Sequence, residues 1–115
     1  MLRDFFLGTM KLHILYHADR EPVFGAFLMR ELSRHGYEIS PGTLYPVLHG
    51  LEKEGLLLRE ARVENGRVRK YYRATDQGRE ALQRGREKAL ELVREVLELD
   101  SDSLTLQHCT GCTHD

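Results

Sequence analysis

With 115 residues, 41% of them hydrophobic and 30% charged, the chain has the size of one domain and apolar material for one modest core. No apolar run approaches a membrane span and Met1–Leu7 is no secretory signal, so the sequence reads as a soluble, cytoplasmic protein with no membrane partner. The net charge of -1 hides a split: seven Lys/Arg against four acids from Ser40 to Thr75, then five against nine from Asp76 onward, as expected of a nucleic-acid face joined to a segment kept off it.

A first helix is expected over Arg3 to Ala18, where helix formers run without proline. A second is expected from Val23 to His35, with Phe24, Phe27, Leu28 and Leu32 as a core-facing stripe. Gly36 follows as a helix stop. Ser40-Pro41 then reads as a helix start, because the serine side chain can cap free N–H groups and proline needs none there. The third helix turns Leu44, Val47, Leu48 and Leu51 inward and leaves Thr43, Tyr45, Pro46, His49 and Gly50 outside. Two helices joined by so short a turn read as a helix-turn-helix.

The period then changes. Leu56–Val63 and Arg67–Ala74 are strand-like, and Asn65-Gly66 between them is the preferred pair for a type I′ hairpin turn. That turn predicts Val63 opposite Val68, Arg62 opposite Arg69 and Glu60 opposite Tyr71. A last helix is expected from Thr75 to about Leu99. Its positions 82, 85, 89, 92, 96 and 99 are Leu, Gly, Ala, Leu, Val and Leu, a short heptad seam that Gly85 interrupts. Such a seam can pack on its own domain. We read it as a dimer helix, because the first three helices already supply a core and so small a domain gains from further burial. The fold class is therefore mainly α with a small β-hairpin: a winged helix-turn-helix over residues 1–75, a C-terminal dimerisation helix over 76–100, and a polar tail over 101–115.

Helix-turn-helix followed by a basic hairpin is the winged-helix arrangement. It presents the start of the third helix to base edges in the major groove, here Ser40, Gly42, Thr43 and Tyr45, with His49 one turn on. The free N–H groups at that helix start also favour an anion. Asn65, Gly66, Arg67, Arg69 and Lys70 at the wing suit the phosphate backbone or a narrow minor groove. The bland alternatives are a well-capped helix, a Tyr45 packed on the wing, and a solvated Arg-rich edge. No nucleophile–base pair, phosphate loop or carboxylate pair stands at useful spacing, so an enzyme is not expected.

Gly36 to Leu48, which includes Pro41-Gly42-Thr43-Leu44-Tyr45-Pro46, then Leu51 to Leu57, then Gly66 to Gly78 with Arg69-Lys70-Tyr71-Tyr72, together resemble the PadR-like transcriptional regulators. The resemblance covers about residues 3 to 98. It implies a homodimeric regulator, usually a repressor, that binds inverted-repeat operators on double-stranded DNA. It places DNA contacts on Ser40, Thr43, Tyr45, Gly66, Arg67, Arg69 and Lys70. The single last helix matches the shorter subgroup, and the first helix of such dimers often packs on the partner's last helix. That adds Phe5, Phe6, Leu12 and Leu15 to a dimer face with Leu82, Ala89, Leu92, Val96 and Leu99. Some members bind flat aromatic effectors. The chain has no Trp for the aromatic sandwich that some of them use, and no effector is identified.

The tail holds His108, Cys109, Cys112 and His114, four ligands suited to Zn²⁺ or a similar transition metal, or a dithiol for redox chemistry. A solvent-exposed, inert tail is the alternative. His13 and His17, at i, i+4 on the first helix, can add ligands, although a packed pair of this kind is more often structural. Two further readings stay open beside the operator-binding regulator: a metal- or redox-responsive regulator acting through the tail, and a winged helix used only for protein contacts.

Overall fold

The computed structural model describes residues 1–99. Helix α1 (Leu2–Arg20) is followed by a two-residue strand β1 (Val23–Phe24), α2 (Gly25–Arg34), α3 (Pro41–Lys53), strands β2 (Leu57–Glu64) and β3 (Arg67–Ala74), and α4 (Asp76–Val96). The chain divides into two compact units, Met1–Leu82 and a second that begins at Gln83. We call the first the head and the second the arm. The head extends past the expected boundary at residue 75 and takes in the first turns of α4.

The head core follows from helical spacing. α1 buries Met10, Ile14, Leu15 and Ala18, α2 buries Leu28 and Leu32, and α3 buries Leu44, Leu48 and Leu51. Leu57, Tyr72, Ala74 and Leu82 close the same cluster. Thus the hairpin and the start of α4 complete a core expected from three helices. Full burial of one such leucine contributes roughly 1.5–3 kcal/mol.

The hairpin keeps the expected register, with Val63↔Val68, Arg62↔Arg69 and Glu60↔Tyr71. Asn65 and Gly66 have φ of 53° and 76°, the left-handed pair that a type I′ turn requires. The expected second helix from Val23 is corrected at its start. Val23 and Phe24 are extended and pair with Tyr72 and Tyr71, so the sheet has three strands in the order β1-β3-β2. A third strand covers what would otherwise be an open edge of β3.

At the start of α4, Thr75 Oγ1 accepts from the Gly78 N–H at 3.0 Å and donates to the Gly55 carbonyl at 2.6 Å. This cap ties the helix to the loop that follows α3. Among the described residues no helix is long and apolar enough to cross a membrane.

Candidate nucleic-acid interface

Leu44, Leu48 and Leu51 hold α3 on the core, and their spacing decides which side chains remain outside. Ser40, Gly42, Thr43 and His49 are exposed, and Tyr45 is 39% exposed. The expected side-chain cap is not formed: Ser40 Oγ lies 3.5 Å from Thr43 Oγ1, while the Ser40 carbonyl accepts from the N–H groups of Thr43 and Leu44. The Ser40 side chain caps no first-turn N–H group; with Pro41 lacking one and Thr43 and Leu44 already bonded to the Ser40 carbonyl, the Gly42 N–H is the donor this turn leaves for an anion. A hydrogen bond between Thr9 of α1 and the Tyr37 hydroxyl anchors the turn ahead of α3.

Tyr45 stands against the start of α2. Its hydroxyl passes over the backbone of Gly25, where a β-carbon would lie 2.1 Å from that oxygen. A larger residue at position 25 would push the ring outward. The first residue of α2 thus limits where Tyr45 can stand, a constraint that sequence spacing does not reveal.

Asn65, Gly66, Arg67, Arg69 and Lys70 are all exposed at the hairpin tip. Their charges are not equally free. Arg69 pairs with Glu64 at 3.8 Å and its guanidinium lies 4.3 Å from the Phe24 ring centre. Arg62 reaches Glu60 at 3.7 Å and stacks over Tyr71 at 4.5 Å, while Arg73 meets Glu60 at 3.2 Å. Among the described ion pairs none involves Arg67 or Lys70, so these two cations carry the least-compensated charge on the wing. Glu60 and Glu64, which set this difference, are interface-shaping residues that sequence reasoning passed over. The predicted register placed both on the strand facing the arginines and could have flagged them.

The expected dimer residues separate into two groups. Leu15 and Leu82 are each only 3% exposed and belong to the head core, which removes them from a free face. A heptad seam looks the same whether the covering surface is the chain's own or a partner's. Leu12 is half-buried against that core. Phe5 and Phe6 are 49% and 53% exposed, and they line a groove of about 1150 Å³ with Met10, Tyr37, Ile39, Thr43 and Val47. On the arm, Ala89, Leu92 and Val96 are exposed and Leu99 is half-exposed. His108, Cys109, Cys112 and His114 lie outside the described residues.

A family model described as the transcriptional regulator PadR-like family matches residues 14–84. The chain is 56% identical over 96 residues to the transcriptional regulator Rv3488 of Mycobacterium tuberculosis, covering 84% of this chain and 90% of that protein. It is similar to the crystal structure of a PadR family transcriptional regulator from Eggerthella lenta, with a TM-score of 0.74 and 35% identity over 86% of this chain and 88% of that one. It is also similar to a PadR-like regulator from Bacillus cereus, with a TM-score of 0.72 and 32% identity over 86% of this chain and 94% of the other.

Proposed function

The chain belongs to the PadR-like family of transcriptional regulators, and on that premise we propose that it is a homodimeric repressor of inverted-repeat operators. The observation that carries this reading is the open start of α3. The leucine face is fully committed to the core, and Ser40, Gly42 and Thr43 are left at the surface with no structural task of their own. A helix presented in this way suits base-edge contact in the major groove. Thr43 and Tyr45 then read bases, the Gly42 N–H takes a phosphate, and Arg67 and Lys70 take phosphates beside it.

Two copies are required because one short helix reads only a half-site. An inverted repeat matches a two-fold dimer. The exposed apolar residues of α1 and of the arm support self-association.

The test is footprinting on the DNA upstream of the chain's own gene, with fluorescence anisotropy at several salt concentrations. A protected inverted repeat, with affinity that falls steeply as salt rises, supports the reading. Salt-insensitive or absent binding to that DNA favours a winged helix used for protein contacts. Transcription in vitro from the same promoter separates repression from activation.

A further inference from the structure

His17, Glu31 and His35 form a cluster that operator binding does not use. Each offers one ligand atom, and these atoms lie within 4.8 Å of one another. His17 Nε2 is 3.9 Å from Glu31 Oε1, and both side chains are 16% exposed. The three come from two packed helices and a helix end: His17 from α1, Glu31 from α2, and His35 from the residue that caps α2. Glu31 and His35 are four residues apart, so they share one face of the helix.

We propose that His17, Glu31 and His35 form a binding site for a divalent transition metal of the zinc type. Two imidazole nitrogens and one carboxylate oxygen are a borderline donor set, which suits Zn²⁺ and its neighbours better than Mg²⁺ or Ca²⁺. Bonds of about 2.0–2.2 Å put tetrahedral ligand atoms roughly 3.4 Å apart, so atoms at the 4.8 Å limit have to close by about 1.4 Å. Three protein ligands leave at least one position for water.

The surroundings fix the rings. His13 stacks on His35 with centroids 4.4 Å apart, and the Phe27 edge meets His17 at 5.7 Å. Arg34 is the competitor, with its guanidinium 3.1 Å from both Glu31 oxygens. Its side chain is 72% exposed and can swing into solvent at little cost. The site stands on these residues whether or not the chain binds DNA.

The experiment must exclude the tail. The full chain carrying His108→Ala, Cys109→Ser, Cys112→Ser and His114→Ala is stripped with chelator and titrated with zinc chloride by calorimetry. About one zinc per chain is expected. Adding Glu31→Gln or His35→Ala to this background is expected to weaken binding at least tenfold, with an unchanged circular dichroism spectrum. Glu31→Gln keeps the side-chain volume and His35 is exposed, so both variants fold. Co²⁺ in place of zinc should give visible bands without a thiolate charge-transfer band. The proposal is overturned if the tail variant binds no zinc, or if both added substitutions leave its affinity unchanged.

Discussion

The head and the arm use similar residues to opposite ends. From Met10 to Leu82 most apolar side chains at helical spacing are covered by their own chain, several of them completely. Beyond it no described residue is buried, and Leu92, Val93, Val96 and Leu97 are between 37% and 63% exposed. The head therefore closes a core of its own and leaves apolar surface mainly at the start of α1, where Phe5 and Phe6 are about half exposed. The arm continues a helix that is capped and packed at its start in the head, and its own apolar side chains gain nothing until something is laid along them. The head thus carries the buried core, and the arm carries exposed apolar side chains with no cover from its own chain among the described residues.

Four sets of substitutions break or sharpen that division. The largest effect is expected from Leu92→Glu with Val96→Glu. These should convert a dimer to a monomer in light scattering and lower operator affinity by about a hundredfold or more, because the two half-sites lose their linkage. The head should keep its cooperative unfolding, and a loss of fold would break the division. Next is Leu48→Ala in the head. It removes a fully buried side chain and should cost about 2–5 kcal/mol in denaturant titration. Third, Arg67→Ala with Lys70→Ala should weaken all DNA sequences alike and reduce the logarithmic salt slope by about 2 per protomer. Arg69→Ala should do less than Arg67→Ala, because Glu64 and Phe24 already engage Arg69. The smallest is Gly25→Ala. The added carbon displaces the flexible end of Tyr45, so stability should fall by only about 1 kcal/mol while base preference beside that ring changes.

What was legible in the sequence is what local rules decide. Pro41 placed the start of α3, and Asn65-Gly66 placed the turn and with it the whole hairpin register. The candidate reading residues followed, since burial of Leu44, Leu48 and Leu51 leaves the others outside. The strand at Val23–Phe24 was not legible, because two residues carry no period. Leu15 and Leu82 were misassigned for a different reason: periodicity identifies a buried face but not the molecule that buries it. The capping role expected of Ser40 failed because its hydroxyl turned toward Thr43. The unequal freedom of the wing cations depends on diagonal pairs such as Arg69–Glu64, which opposite-residue register alone does not specify.

The short strand β1 has a mechanical consequence. It pairs with β3 only at Tyr71 and Tyr72, and both are buried while Arg67 to Lys70 are exposed. The wing is thus a lever with its fulcrum at Phe24. Its free length is about 14 Å at ~3.4 Å per residue, so a tilt of about 5° at the fulcrum moves the tip by about 1 Å. Phe24 leads directly into α2, and whatever shifts the start of that helix is magnified where Arg67 and Lys70 stand.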